Sequence, residues 1–183
     1  DGVVKHNGPL TGPAASEKAK RRPVPATIAA YCAEQRDLEL HSFPGPEAQV
    51  AAIADDIAYD AHDIDDGLRA GLFNLIDLGD VPLAGEALST VLRLYPEIDM
   101  HRTVHETVRR VISEMIADVI AETWRRVSQH HPKSADDVRG LNLPLVSFGA
   151  QMHEKNRVLQ AFLSERMYRH ERVAGIMNRA QRV

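Results

Sequence analysis

The chain has 183 residues, of which 44% are apolar and 26% charged, and its formal net charge is −4 at pH 7. That length suffices for a domain with a sizeable core, and no run approaches the roughly 18 apolar residues of a membrane span. The slight negative charge gives no support for attraction of the whole chain to nucleic acid. The single cysteine, Cys32, excludes an internal disulfide, favours a cytoplasmic location, and is expected to be a small core residue.

Residues 1–25 are dense in glycine, proline and serine, and we expect a loop or linker there. The rest of the chain shows helical periodicity broken by proline and glycine, with no alternating stretch typical of strands and no repeat. The predicted fold class is therefore all-α, with residues 26–98 and 99–183 as two successive helical sections. The predicted helices are about Ala26–Gln35, Glu47–Phe73, Leu83–Leu94, Asp99–Gln129, Phe148–Arg169 and Arg172–Arg182, with a short turn of helix at Ser134–Arg139.

The helix predicted over Glu47–Phe73 carries Asp55, Tyr59 and Asp63 four residues apart. At that spacing the three side chains fall within roughly 80° of arc along about 12 Å of helix. Burial of an unpaired carboxylate is unfavourable, so a cation, a ligand or a basic partner is expected nearby. A solvated edge of the helix would give the same spacing. The apolar residues that flank the three, on the face expected to enter the core, are Val50, Ile53, Ala54, Ile57, Ala58 and Ala61.

The whole string EAQVAAIADDIAYDAHDIDDGLRAGLF, Glu47–Phe73, resembles a helix of the bacterial deoxyguanosine-triphosphate triphosphohydrolase-like proteins, a branch of the HD-domain metal-dependent phosphohydrolases. Two further segments agree with it in family order: Gly2–Leu10, with its V-K-H-N-G-P stretch, and Phe162–Val173, with F-L-S-E-R-M-Y-R-H. The resemblance implies an HD-domain-like helical bundle, with residues 26–98 as the later part of its core. It also implies metal-dependent hydrolysis of deoxynucleoside triphosphates, dGTP among them, to a deoxynucleoside and triphosphate.

The family's metal site consists of an upstream histidine, an adjacent His-Asp pair and a final aspartate. By resemblance Asp55 is that final ligand, but no His-Asp pair precedes it in this chain. We therefore expect this chain to be the C-terminal portion of a longer protein whose N-terminal segment bears the other ligands. One exposed carboxylate cannot hold a divalent ion against water. The full-length protein is thus expected to bind Mg²⁺ or Mn²⁺, and this chain alone to bind no metal and to be inactive.

The resemblance also implies roles in substrate binding. Tyr59 would contact the sugar and phosphate edge, Asp63 would accept the 3′-hydroxyl, and Lys5, in the V-K-H stretch, would lie near the triphosphate. The dipeptide His62-Asp63 is not the metal pair, because it follows Asp55 and because adjacent helical residues point about 100° apart. No catalytic acid or base is identified. The expected partners are a deoxynucleoside triphosphate and further copies of the protein, with no membrane and no indication of nucleic acid.

Several features stay open on sequence alone. His101 and His105, four residues apart, fit either a shared ion or an exposed polar face. Tyr168, Arg169 and His170 fit either the nucleotide site or a subunit contact. The alternative to an enzyme is a non-catalytic helical regulatory or interaction module on the same scaffold. Apolar faces that pack on the absent segment would be exposed here, so we also expect self-association of the isolated chain.

Overall fold

The computed structural model describes residues 2–180, with side chains up to residue 175. Over that range the chain is helical and has no strands, which confirms the predicted all-α class. No helix within the range is both long and apolar enough to cross a bilayer. The helices are α1 (Gly2–Lys5), α2 (Glu17–Lys20), α3 (Ala26–Glu34), α4 (Pro46–Arg69), α5 (Leu75–Gly79), α6 (Ala84–Leu94), α7 (Met100–His130), α8 (Ala135–Gly140), α9 (Ala150–Leu163) and α10 (Glu171–Ala180), and α9 continues into a π-helical turn, Ser164–Tyr168.

The helices differ from the prediction in three respects. Helix α4 ends four residues before Phe73, because Gly71 takes a left-handed conformation with φ 64° and the Leu72 amide donates back to the Gly67 carbonyl. The predicted loop 1–25 contains the one-turn helices α1 and α2. Helix α5 was not predicted, and it begins at a capping box in which Asn74 and Asp77 exchange hydrogen bonds. Residues 181 and 182 of the predicted last helix lie outside the described range.

The described chain divides into two compact units by its contacts. Unit 1 holds the residues up to 55 together with 119–147, and unit 2 holds 56–118 together with the residues from 148 onward. The predicted sections 26–98 and 99–183 each contribute to both units.

A buried glutamine joins distant segments within unit 1. The Gln49 Nε2 atom donates to the Pro44 carbonyl at 2.9 Å, and its Oε1 atom accepts from the amides of Leu145 and Val146 at 2.8 and 3.0 Å. All of its hydrogen-bonding atoms therefore serve backbone groups that would otherwise be buried without partners. We assign Gln49, in the E-A-Q-V start of the resemblance, a structural role.

Unit 2 is built on an apolar core to which α4, α6, α7 and α9 all contribute. Helix α9 is preceded by Gly149, which has no side chain to cap the helix, and the Asp118 carboxylate of α7 accepts from the Gly149 amide at 2.8 Å instead. This contact fixes the start of the helix that carries Asn156 and Gln160 and continues into the π-helical turn with Tyr168. The fully buried apolar side chains of this core include Ile64, Leu78, Leu83, Val91, Val111, Met115 and Leu159.

The buried face of α4 matches the prediction only in part. Ile57 and Ala61 are buried as expected, but Val50, Ala54 and Ala58, which were also expected to enter the core, are exposed. Ile64 completes the buried apolar stripe, and Asp60 and Asp63 are buried beside it. Cys32 was likewise expected in the core, and it is only partly buried on α3, a helix with no buried residue. Runs of small alanines fit either side of a helix, so composition alone could not choose the face.

Candidate functional site

The three site residues predicted on α4, Asp55, Tyr59 and Asp63, differ in how far they are exposed to solvent. Asp55 is exposed and is the last residue of this stretch in unit 1. Tyr59 and Asp63 belong to unit 2, and the first is 58% exposed whereas the second is 8% exposed. Asp63 is therefore a desolvated carboxylate next to a tyrosine that is open to solvent.

Tyr168 brings these two unit 2 residues together. Its hydroxyl donates to Asp63 Oδ2 and also interacts with the hydroxyl of Tyr59. Burial raises the pKa of Asp63, and the hydrogen bond from Tyr168 opposes that rise. Burial, and then hydrogen bonding to Asp63, raise the pKa of Tyr168, so the phenol keeps its proton for donation. The sequence had left Tyr168 between a nucleotide site and a subunit contact; the signal for its importance was the segment Phe162–Val173, which resembles the family.

A second buried carboxylate, Asp60, was missed by the sequence analysis. It is 4% exposed, and the Gln160 Nε2 atom of α9 donates to its Oδ2 and Oδ1 atoms at 3.1 and 3.4 Å. Asn156 of the same helix also hydrogen-bonds to it. Burial, the largest effect, raises the pKa of Asp60 from 3.8 to about 6, while the two amides lower it. The signal that could have found Asp60 is its position between Ile57 and Ala61 on the apolar stripe.

Lys5, the predicted triphosphate contact, is fully buried within unit 1. Its ammonium group donates to the Glu39 carbonyl at 3.1 Å and to the Ser42 hydroxyl at 3.0 Å. Burial, as the largest effect, lowers the pKa of Lys5. An anion bound at this position would have to compete with these two acceptors, so a role in substrate binding stays a prediction.

The histidine pair on α7 forms an exposed polar cluster. The Nε2 atoms of His101 and His105 lie 3.3 Å apart, and the Arg69 Nη2 atom lies 3.4 Å from that of His105. His105 also lines an open cavity of about 270 Å³ with Arg102 and Glu106. A guanidinium so close to the imidazole opposes binding of a cation there, which favours the exposed polar face over a shared ion.

The donor set for the implied divalent metal is incomplete in this chain. Across residues 2–180, no three or more His, Cys, Asp or Glu side chains are grouped so that they could hold a metal ion. Asp55 offers one exposed carboxylate, which has the oxygen donors that Mg²⁺ and Mn²⁺ prefer but not their number. The residues present do not by themselves fit the ion.

Comparison with known proteins gives the family resemblance directly. No protein-family model matches the chain. Aligned over its full length, the chain is 52% identical to a deoxyguanosinetriphosphate triphosphohydrolase-like protein of Parvibaculum lavamentivorans and 51% identical to one of a Bradyrhizobium species. A third, from Nitrobacter hamburgensis, is 46% identical. Over its whole length this chain resembles the deoxyguanosinetriphosphate triphosphohydrolase-like proteins.

The alignments cover all of this chain but less than half of each relative. The shares are 45%, 44% and 46% of the three triphosphohydrolase-like proteins. Helix α4 and the π-helical turn that carries Tyr168 therefore both fall within the aligned region.

Proposed function

We propose that the full-length protein carrying this chain hydrolyses deoxynucleoside triphosphates, dGTP among them, to a deoxynucleoside and inorganic triphosphate. The support is about 50% identity over all 183 residues to proteins whose names state a dGTP triphosphohydrolase-like activity. The structural observation that carries the proposal is the cluster of Tyr59, Asp63 and Tyr168, in which a buried carboxylate meets two phenols. Such a cluster suits a ligand with both hydroxyl groups and apolar carbon atoms, such as a sugar.

In this proposal the residues of unit 2 recognise the deoxyribose. Asp63 accepts a hydrogen bond from the 3′-hydroxyl, and because the carboxylate is buried, a ligand without that hydroxyl leaves it with one partner fewer. Tyr59 is exposed beside it and offers a ring face and a hydroxyl to the sugar.

Asp55 is proposed as one ligand of a Mg²⁺ or Mn²⁺ ion in the full-length protein, with the remaining ligands supplied from outside this chain. We further expect the full-length protein to act as a homo-oligomer in the cytoplasm, and this chain alone to be inactive.

The proposal is tested with the full-length protein and the four deoxynucleoside triphosphates, each with Mg²⁺ or Mn²⁺. Released triphosphate is split by an added inorganic triphosphatase and measured as phosphate with malachite green, and the free deoxynucleoside is measured by chromatography. We expect deoxynucleoside and triphosphate in equal amounts. Release of a deoxynucleoside monophosphate and pyrophosphate, or no turnover with any substrate, would exclude the proposal, and the latter would favour a non-catalytic helical module.

A further inference from the structure

A buried carboxylate and a buried amide meet where α4 packs on α9. Asp60 of α4 is 4% exposed and Asn156 of α9 is 7% exposed, and both lie in unit 2. The Asn156 amide hydrogen-bonds to Asp60, and the Gln160 Nε2 atom donates to the same carboxylate at 3.1 and 3.4 Å. Among the described residues, the hydrogen-bonding partners of Asp60 are thus two neutral amides and no basic side chain.

The oxygen of the Asn156 amide lacks a donor. Within the part of the chain that the structure describes, the buried Asn156 Oδ1 atom has no hydrogen-bond partner. A buried acceptor without a donor is unfavourable. An ionised carboxylate only accepts hydrogen bonds, so Asp60 cannot supply that donor while it is charged. A protonated carboxyl can supply it, because it carries one O–H group.

A carboxylic acid and a primary amide can be joined at two points. The acid O–H donates to the amide oxygen, and the amide N–H donates to the acid carbonyl oxygen. The Asn156 amide already contacts Asp60, and the terminal torsions of both side chains are broad, so rotation about them can align the two groups. The paired arrangement satisfies Asn156 Oδ1, which the ionised arrangement leaves without a donor.

We propose that Asp60 and Asn156 form a pH-sensitive link between α4 and α9. With the proton bound, two hydrogen bonds join the carboxyl to the amide and hold α9 against α4. Release of the proton to solvent breaks the bond from the carboxyl O–H and leaves a negative charge among buried residues of unit 2. The link does not depend on the hydrolysis proposed above.

The charges around Asp60 favour the protonated form. Burial is the largest cause that raises the pKa of Asp60 to about 6, and the acidic Asp56 and Asp63 of α4 act in the same direction, while the two amides oppose it. From α9, the basic Lys155 is paired with Glu86 of α6 at 2.5 Å. The stabilisation is complete below the ordinary pKa of 3.8 and is lost as the pH rises through about 6.

Infrared difference spectroscopy on the full-length protein tests for the proton directly. The C=O stretching band of a protonated carboxylic acid is separate from the bands of amides and of ionised carboxylates. Subtraction of the spectrum of the Asp60→Asn variant at each pH isolates the band of Asp60. We expect this band at about pH 5 and its loss by about pH 8, with a midpoint near pH 6. Absence of the band at the lower pH would overturn the proposal.

Two further variants, each made with and without Asp60→Asn, test the pairing with Asn156. Asn156→Leu has a similar volume but lacks both hydrogen bonds of the acid–amide pair. Because hydrogen bonding lowers the frequency of a C=O stretch, the Asp60 band should move to higher frequency in this variant. Gln151→Leu, exposed in the first turn of α9, is the matched control and should leave the band where it is. An unmoved band in Asn156→Leu would overturn the pairing.

Hydrogen exchange needs no substitution at position 156, so it decides the matter even where Asn156→Leu fails to fold. In the unchanged full-length protein, protection of the α9 amides, corrected for the pH dependence of the intrinsic rate, should fall about tenfold from about pH 5 to about pH 8. In Asp60→Asn it should stay constant within about twofold, because the amide has no proton to lose. Equal protection of α9 at both pH values in the unchanged protein would overturn the link between the helices.

Discussion

Asp55 lies on the exposed side of α4, one turn before Tyr59. Its side chain is exposed, so its replacement tests function without opening the buried core of the described residues. We expect Asp55→Ala in the full-length protein to lower turnover of deoxynucleoside triphosphates at least 100-fold, because loss of one ligand empties or misplaces a metal site. Asp80→Ala, also exposed, is the matched control. Steady-state rates of hydrolysis of the variants and the unchanged protein measure this effect. Retained activity of Asp55→Ala would contradict a role of Asp55 as a metal ligand.

Asp60 makes the stability of the chain depend on pH. Its pKa is raised from 3.8 to about 6 by burial, so between those pH values the native state binds more protons than the unfolded state. The free energy of unfolding contributed by this group therefore falls as pH rises through that window. We expect Asp60→Asn to gain stability relative to the parent between pH 4 and pH 7, by up to about 3 kcal/mol.

Urea unfolding followed by circular dichroism at several pH values measures this difference. Asp80→Asn, at an exposed position, should show a difference from the parent that stays flat with pH. An Asp60→Asn variant with an equally flat difference would mean that Asp60 is already ionised throughout the range.

The sequence was informative about these positions to different degrees. Asp55, Tyr59 and Asp63 could be chosen because their spacing and the surrounding string are local features of one helix. The contact between Asp63 and Tyr168 could not, since the two are 105 positions apart in the sequence and Tyr168 is placed by a π-helical turn. The burial of Lys5 was also out of reach, because it depends on the turn at Glu39 and Ser42.

Helices α5 and α6 approach each other so closely that a side chain does not fit between them. A Cβ atom on Gly85 would lie 2.2 Å from the Gly79 carbonyl oxygen, which is a backbone atom and cannot rotate away. Alanine is favoured over glycine within a helix by about 1 kcal/mol, but the clash outweighs that preference. We expect Gly85→Ala to lower the free energy of unfolding by about 2 kcal/mol or more.

The matched control is Gly79→Ala in the same pair of helices, where a Cβ would meet open space. Denaturant unfolding of both variants should show a loss for Gly85→Ala and little change for Gly79→Ala. Equal stability of the two would mean that the helices separate at no cost. The prediction of α6 from periodicity was confirmed, but this close approach carries no periodic signal and could not be anticipated.

Exposed apolar side chains follow one side of α7 over two turns. Ile116, Ile120 and Trp124 are spaced four residues apart, and Trp124 is 67% exposed. Water-exposed apolar stripes of this kind drive association. We expect the isolated chain to self-associate at micromolar concentration, and Trp124→Glu to shift it toward monomer.

Light scattering coupled to size-exclusion chromatography measures the association. Trp124→Phe keeps an apolar ring and should leave the association nearly unchanged. A parent chain that elutes as a monodisperse monomer would contradict the prediction, which the sequence also made from its apolar faces. Spacing alone did not identify this stripe, because the same helix also carries the apolar residues Val111, Met115 and Val119, which are buried.

The π-helical turn after α9 holds one residue more than an ordinary turn, as the hydrogen bond from the Arg169 amide to the Ser164 carbonyl spans five positions. If the same residues wound as an ordinary α-helix at unchanged chain length, position 168 would turn by roughly 90° away from Asp63. The extra residue is thus an evolutionary marker of this contact. Homologues that lack the π-helical turn at the same chain length should place another side chain against this carboxylate.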